Sequence, residues 1–496
     1  MKAFALFKKP NGGAHAGVLI AYLFINGIAL ANAVMHDPRV GYDHAAHLRY
    51  INTLATTGHL QSFEQNHESF TPPLSYVLPA LLLRMMAVAK GETESLKSVL
   101  PPEDNDPTAV RGTPAEGVKR AQLLLGIAAK FAQLLNWVFS IGLTLFVLKI
   151  CELIKPANAD FKFWTLLLLG MFPVYYKTFS FVRGEPLAAF LVVVAVYHFL
   201  QLLLRKDFSA RRAITLGVVI GLAILSRQWP FFILPAFVIA AVVSWPSRLI
   251  KENKSLITTI TAAVLIAVLL GGWFYLSFPW RHVRPGPQMG TYLRNVSGDP
   301  YWAEVSSLSF AVSYKTLFTN PVRDALANQI FSIFYAETWG DYWGYFVTTQ
   351  ADQSASIRRY LGRVNFVSLL PTAILLAGFG LGVWSLIKTS FRKRQDGGEV
   401  AIGLLALLVA CSLIGYAYFL TVVPNTSQGA GLKASYMLQI FPFVALLGAG
   451  MLTKLRQKGL RWHWSGVALL VVITLHNLPA MITHYFITFG RPHLTW

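Results

Sequence analysis

The stretch VRGEPLAAFLVVVAVYHFLQLLLRKDFSARR, residues 182–212, has an apolar centre between two charged ends. The centre, Leu187–Leu204, holds 18 residues without Asp, Glu, Lys or Arg. A helix rises about 1.5 Å per residue, so this run extends roughly 27 Å, close to the hydrocarbon thickness of a bilayer. One arginine and one glutamate precede the run, and a mostly basic segment follows it. The stretch predicts a membrane-spanning helix whose C-terminal end faces the cytoplasm.

Comparable apolar runs recur along the whole chain of 496 residues, which is 54% hydrophobic and only 13% charged. A soluble core does not explain this recurrence, so we predict an all-α polytopic membrane protein with about eleven transmembrane helices. The predicted spans are Ala16–Val34, Ala121–Leu148, Phe163–Phe181, Leu187–Leu204, Ala213–Ser226, Pro230–Val243, Leu256–Phe278, Phe366–Ile387, Ala401–Val423, Ala434–Leu452 and Trp464–Phe486.

The net charge of +20 is carried largely by short loops between the predicted spans. With the N-terminus in the cytoplasm, the basic loops at 205–212, 248–254, 388–394 and 454–461 all lie on the cytoplasmic side. This arrangement satisfies the positive-inside rule. The charge therefore indicates orientation and contact with anionic membrane lipids, and no nucleic-acid partner is predicted.

Two predicted outer segments, residues 35–120 and 279–365, are far longer than ordinary connections of about 4–6 residues. We treat residues 1–496 as one membrane domain and expect its function in these two loops. In the first loop, the pattern of residues 42–58 predicts an amphipathic helix lying on the membrane, and Pro73–Ala89 predicts a second one.

The predicted pair Ala213–Ser226 and Pro230–Val243 is too short to cross the hydrocarbon core, because fourteen helical residues rise only about 21 Å. Its tip carries Arg227, which at membrane depth must face a cavity or a partner. An anionic lipid headgroup would be a suitable partner.

Five motifs give the chain a resemblance to a known family. They are GYDHAAHLRYINTLATTGHL at 41–60, HESFTPPLSYVL at 67–78, VRGEPL at 182–187, LSRQWPFFILPA at 225–236 and GLKASYMLQIFPFVAL at 431–446. In this order they resemble the glycosyltransferase C superfamily, especially its branch of protein O-mannosyltransferases and lipid A aminoarabinose transferases.

The resemblance implies transfer of a sugar from a polyprenyl-phosphate carrier to a carbohydrate, lipid or protein acceptor on the outer side, with Asp43 as the base. The chain departs from the family pattern at two positions. His44 follows Asp43 where many members carry a second acidic residue, and Ser435 stands where an arginine is common.

Displacing a phosphate from an anomeric carbon needs a base on the acceptor side and positive charge on the leaving-group side. We choose Asp43 as the base, although an aspartate at the start of a helix can equally serve as an N-cap. Glu185 is the supporting acid, which would assist the acceptor or orient Arg183. Its alternative role is an ordinary first-turn acid beside a proline.

For the donor phosphate we choose Arg227 first, because a guanidinium offers a fork of donors that matches phosphate oxygens. Lys433 and Arg183 are the expected helpers. The alternatives are an interfacial snorkelling residue for Arg227 and an ordinary helix flank for Lys433.

The segment FYAETWGDYWGYF, residues 334–346, places Glu337 and Asp341 among aromatic residues that include Tyr342. Such a surface suits the apolar faces and hydroxyl groups of a sugar, but it can equally form an aromatic belt at the membrane interface.

We also assign His44, His47 and Tyr436 to the acceptor or sugar cleft, with interface anchoring as the alternative for Tyr436. His44 and His47 are three residues apart and could share a metal ion, yet no nearby cysteine or carboxylate pair completes a metal site. We therefore expect no cofactor, and a divalent metal remains an alternative.

The sequence leaves two rival functions open. A transporter or lipid flippase would also have many spans, but it would not need two large outer loops. A non-enzymatic subunit of a glycan-assembly machine is the second rival. We expect an outward-facing active site in a bacterial cytoplasmic membrane rather than in the endoplasmic reticulum.

Overall fold

The computed structural model describes residues 15–61, 66–99, 116–243, 250–277, 311–323, 325–326, 329–348, 354–390, 397–422 and 431–488. Its helices, numbered in chain order, are α1 Ala16–Met35, α2 His44–Thr57, α3 Leu74–Lys90, α4 Thr93–Lys97, α5 Glu116–Ile154, α6 Ala159–Gly170, α7 Pro173–Ser180, α8 Glu185–Arg205, α9 Ala210–Ile224, α10 Ile233–Val243, α11 Ile250–Ala267, α12 Trp273–Leu276, α13 Tyr314–Thr319, α14 Ile330–Trp339, α15 Ala355–Val367, α16 Leu369–Ser390, α17 Gly397–Val422, α18 Phe441–Lys458, α19 Leu460–Met481 and α20 Tyr485–Thr488. Short 3₁₀ turns precede α3, α10 and α18, at His67–Phe70, Trp229–Phe232 and Ala434–Ile440.

The protein is an integral multi-pass membrane protein. In the described part of the chain, eight helical segments are long and apolar enough to cross a bilayer. They are Ala16–Met35, Glu116–Ile154, Glu185–Arg205, Lys254–Leu276, Ala355–Ser390, Gly397–Leu420, Ala434–Lys458 and Leu460–Met481. The predicted all-helical membrane fold is confirmed, but the predicted number of eleven spans is not.

Three predicted spans account for the difference in number. The predicted span Phe163–Phe181 is divided into α6 and α7, because Pro173 begins a new helix and the preceding Phe172 is extended, with ψ of 108°. The other two are the predicted short pair, which forms α9 with 15 residues and α10 with 11 residues.

The two helices predicted in the first long loop are confirmed as α2 and α3. Both pack against the N-terminal part of α5 in a separate apolar cluster that includes Ile51, Leu83 and Ala128. Helix α5 has 39 residues, or roughly 58 Å of helix, about twice the hydrocarbon thickness. Because α5 is this long, its N-terminal part can pack against α2 and α3 while its C-terminal part packs in the membrane bundle.

The main bundle packs helix on helix through small residues. A Cβ atom added at Gly378 of α16 would lie 2.6 Å from backbone atoms of Leu447 and Gly448 in α18. Only glycine allows this approach, as is usual at helix contacts in membranes. Around such contacts lies one apolar core to which α1, α5 to α9 and α16 to α19 contribute.

Polar residues concentrate at one end of this bundle. The turn before α2, the start of α8, the loop between α9 and α10, helix α14 and the start of the 434–440 turn all meet there. The opposite end carries different ion pairs, such as Arg456 with Asp160 and Lys162 with Glu152. The segments predicted to lie outside are thus brought together in one place.

Candidate active site

Asp43 stands at the position before α2, but it does not act as a helix cap. Its backbone is left-handed, with φ of 53°, and its side chain makes no capping hydrogen bond. Instead the carboxylate accepts a hydrogen bond from Lys433 Nζ at 2.8 Å. The side chain is 28% exposed, so it remains reachable from outside the protein. The capping alternative for Asp43 is therefore excluded by the geometry.

Lys433 connects the first loop to the start of the 434–440 turn. Its ammonium lies 4.9 Å from the Tyr42 ring centroid and 5.6 Å from that of Tyr436. Burial is the largest single influence and lowers the pKa of Lys433, but the Asp43 carboxylate and Tyr436 together outweigh burial, so the pKa of Lys433 is raised. Lys433 thus remains a cation beside Asp43.

Arg183 and Arg227 share one carboxylate. Arg183 Nη2 lies 3.1 Å and Arg227 Nη2 lies 2.8 Å from Oε1 of Glu185. All three residues are buried, and both guanidinium groups lie within 6 Å of the Tyr436 ring centroid. Glu185, which was expected to assist the acceptor or to orient Arg183, thus contacts Arg183, and it contacts Arg227 as well.

Arg227 has further partners that sequence reasoning did not foresee. Its Nη1 atom lies 3.3 Å from Oε2 of Glu68 and also donates to Thr71 Oγ1. Two carboxylates therefore contact Arg227. By contrast, Nη1 of Arg183 is buried and has no hydrogen-bond partner among the described residues. A buried guanidinium nitrogen without a partner is costly, and a ligand oxygen would relieve that cost.

His47 is buried beside these cations. Tyr76 Oη lies 2.9 Å from its Nδ1 atom, and Glu68 Oε2 lies 4.0 Å from the same atom. Burial lowers the pKa of His47 to about 4, against the opposing effect of Glu68. The ring is therefore neutral near pH 7. His44, one turn earlier on α2, is partly exposed and its Nδ1 lies 3.3 Å from the Gly41 carbonyl oxygen.

The acids of the second long loop lie inside the protein. Glu337 and Asp341 are 0% and 1% exposed, and both face the buried Lys177 of α7, at 2.9 Å and 3.9 Å from its Nζ atom. Tyr42 donates a hydrogen bond to Glu337 Oε1. Tyr342 is 0% exposed. These residues join the site through Tyr42 and do not form an open aromatic surface.

Three residues at this site, Lys177, Glu68 and Tyr42, were not predicted from the sequence. Lys177 could have been found, because a lysine inside the predicted span Phe163–Phe181 needs a buried partner for the same reason as Arg227. Glu68 and Tyr42 have no comparable signal, since their partners are distant in sequence.

Within the described residues, no group of three or more His, Cys, Asp or Glu side chains could hold a metal ion. His44 contacts the Gly41 carbonyl oxygen, whereas His47 contacts the Tyr76 hydroxyl group.

Comparison with known proteins gives a likeness of fold. No protein-family model matches the sequence, and no curated protein matches it either. The oligosaccharyltransferase of Archaeoglobus fulgidus, solved in complex with Zn and sulfate, is similar over 94% of this chain with a TM-score of 0.50 and 13% identity. The same comparison covers 53% of that protein, so this chain spans about half its length.

Two further structures of an Archaeoglobus fulgidus oligosaccharyltransferase are similar over 94% of this chain, each with a TM-score of 0.46. One carries a tethered acceptor peptide with the NVT sequon, at 13% identity and 55% coverage of that chain. The other is bound to an inhibitory peptide and a dolichol-phosphate, at 14% identity and 56% coverage. The likeness to the first structure, at a TM-score of 0.50 and 13% identity, is one of fold alone, and it agrees with the fold class predicted from the sequence.

Proposed function

We propose that this protein is an inverting glycosyltransferase, which moves a sugar from a polyprenyl-phosphate carrier to an acceptor on the extracytoplasmic face of the membrane. The fold shared with an oligosaccharyltransferase supports a transferase rather than a transporter. The acceptor is a glycan, a lipid or a protein. We place the protein in the bacterial cell envelope, with its active site on the outer face of the cytoplasmic membrane.

The observation that carries this proposal is the Asp43 carboxylate, partly exposed and paired with Lys433, beside the buried guanidinium groups of Arg183 and Arg227. A carboxylate that does not cap its helix is available to accept a proton. Adjacent cations suit a phosphate that becomes more negative as its bond to the sugar breaks. The proposed base and the cations proposed to stabilise the leaving phosphate thus lie in one cluster.

In the proposed reaction, Asp43 removes the proton of an acceptor hydroxyl as its oxygen forms a bond to the anomeric carbon. The bond between that carbon and the phosphate oxygen breaks, and its electron pair leaves with the polyprenyl phosphate. Because attack and departure occur on opposite faces in one step, the anomeric configuration is inverted.

The cations have different proposed tasks. Arg183 offers its Nη1 donor to a phosphate oxygen, and the Lys433 ammonium has three N–H donors, so it can contact Asp43 and a phosphate together. Arg227 is held by the buried Glu185 and the partly buried Glu68, and its charge balances theirs. The structure therefore favours Arg183 over Arg227 as the first phosphate ligand, reversing the order expected from the sequence.

The test is a transfer assay with purified protein in detergent, a panel of polyprenyl-phosphate sugars, and candidate acceptors. We expect one donor to be consumed with an inverted anomeric configuration in the product, read by NMR. The Asp43→Asn variant should fold, bind donor and lose at least ~100-fold in turnover, the scale of general-base loss.

Two outcomes would contradict the proposal. Near wild-type transfer by Asp43→Asn would remove Asp43 as the base. Movement of a lipid across vesicle membranes, without any transfer by purified protein from the whole donor panel, would favour a flippase.

A further inference from the structure

We propose that the buried chain Lys177–Glu337–Tyr42 is a positioning device that holds the Asp43–Lys433 pair in its working geometry. This inference rests on the proposed function, because it assigns a task at the same site. Tyr42, Glu337 and Lys177 are positioning residues in this scheme, since they act through Asp43 and not on the substrate.

The chain joins three segments that are distant in sequence. Lys177 of α7 lies 2.9 Å from Glu337 of α14, and Glu337 accepts a hydrogen bond from the hydroxyl group of Tyr42, which precedes α2. All three side chains are buried. A buried charge pair is weak evidence for stability, but separating its members would leave an uncompensated buried charge, so Lys177 and Glu337 are held together.

The residue that follows Tyr42 has a backbone that needs such support. Asp43 has φ of 53°, a left-handed conformation that is uncommon outside glycine. Such residues persist where the surrounding structure determines their conformation, and they cluster at functional sites. Tyr42 fixes the turn from one side, and the ion pair with Lys433 fixes it from the other.

The aromatic ring of Tyr42 also contacts the cations of the site, so fixing the ring limits where these cations can lie. Lys433, Arg183 and Lys177 lie 4.9, 5.4 and 6.0 Å from its centroid. Trp343 and Tyr345 pack on the ring edge to face, at 5.7 and 5.4 Å. One fixed ring therefore sets the distance between the proposed base and the proposed phosphate ligands.

Asp341 holds the loop that supplies those two aromatic residues. Its Oδ2 atom accepts the backbone N–H groups of Phe346 and Val347, both at 2.9 Å, while its other oxygen lies 3.9 Å from Lys177 Nζ. Lys177 thus anchors both Tyr42 and the loop that packs against it. The buried carboxylates of Glu337 and Asp341 thus compensate the buried charge of Lys177.

The experiment uses Tyr42→Phe, which removes the hydroxyl group and keeps the ring. Misplacement of a reacting group by about 1 Å can cost roughly 100-fold in rate, so we expect kcat to fall at least about tenfold while the KM for the donor changes less than about twofold. Glu337→Gln keeps an acceptor oxygen for Tyr42 and should lose less than Tyr42→Phe.

The matched control is Tyr360→Phe, which removes another buried tyrosine hydroxyl, one that donates to the carbonyl of His476 at 3.0 Å. It should change thermal stability without changing kcat. A purely structural role for Tyr42 would give the same result as this control.

A double-mutant cycle shows whether Tyr42 acts through Asp43. We expect Tyr42→Phe to cause no further loss of turnover when it is combined with Asp43→Asn, because residues that act as a unit are not additive. A wild-type kcat for Tyr42→Phe, or an equal loss in both backgrounds, would overturn the inference while leaving the proposed base intact. An active Asp43→Asn variant would instead overturn the proposed base.

Discussion

At the scale of single residues, the role of each charged side chain depends on the groups that it contacts more than on its residue type. Arg183 and Arg227 have the same side chain and share Glu185, yet among the described residues only Arg227 has a second carboxylate, Glu68, at 3.3 Å. Asp43 occupies a capping position but pairs with a lysine 390 residues away. These differences lead to separate experimental expectations for each residue.

Arg183→Gln should weaken donor binding by roughly 10- to 100-fold, the value of a charge-assisted hydrogen bond. The affinity of purified protein for a polyprenyl phosphate measures this change. Arg227→Gln should chiefly lower thermal stability, because Glu185 and Glu68 would lose a shared cation. Arg120→Gln is the control, since Arg120 is exposed and pairs with Glu92 away from the site. Equal donor affinity in Arg183→Gln and wild type would remove Arg183 from the phosphate site.

His47 should make the protein sensitive to acid. Its pKa is about 4 in the folded protein against 6.5 for a free histidine, so the unfolded chain binds more protons between these values. Stability is therefore full above about pH 6.5 and is lost as the pH falls toward 4, by on the order of 3 kcal/mol.

Thermal unfolding in detergent between pH 7 and 4.5 measures this loss. His47→Gln, which keeps an acceptor for Tyr76, should show a smaller fall in Tm over this range, whereas the exposed His59→Gln should behave as wild type. The same fall in all three proteins would disprove the assignment to His47.

At the scale of structural elements, the turn that carries Arg183 lies in close contact with the turn that carries Arg227. A Cβ atom added at Gly184, before α8, would lie 2.5 Å from the carbonyl oxygen of Ser226. The backbone of Gly184 is right-handed, with φ of −85°, so glycine is needed here for space and not for conformation. The turn that carries Arg183 can approach the turn that carries Arg227 only because this side chain is absent.

Gly184→Ala should force the two turns apart, with a cost of about 1–3 kcal/mol in stability and a weaker donor affinity. Gly380→Ala is the control, because a Cβ atom at that position of α16 meets nothing within 4 Å. Thermal unfolding and donor titration measure the two effects. Identical behaviour of the two alanine variants would show that the turns have room to adjust.

At the scale of the whole molecule, five segments predicted to face outward meet at one end of the bundle, which is consistent with the proposed orientation. Cysteine labelling tests it with His59→Cys in the first long loop and Arg211→Cys at the start of α9, both exposed positions. An impermeant reagent should label the first in intact cells and the second only after permeabilisation. Labelling of Arg211→Cys in intact cells would invert the topology.

The sequence by itself determined the membrane class, most of the helices and the short hairpin with Arg227 at its tip. These features depend on local periodicity and on the length of apolar runs, which any segment carries without reference to the rest of the chain. For the same reason, the sequence did not indicate that the helix ends before Pro173, because this proline lies within a continuous apolar run.

Only the tertiary structure decided which charges meet. The pairs Asp43 with Lys433, Arg227 with Glu68, and Lys177 with Glu337 join residues at least 159 positions apart, and no local pattern records such contacts. Asp43 shows the consequence, because its sequence context predicts a helix cap and a base equally well. In the structure its side chain makes no capping hydrogen bond and pairs with the distant Lys433 instead, a contact that depends on how the two segments pack together.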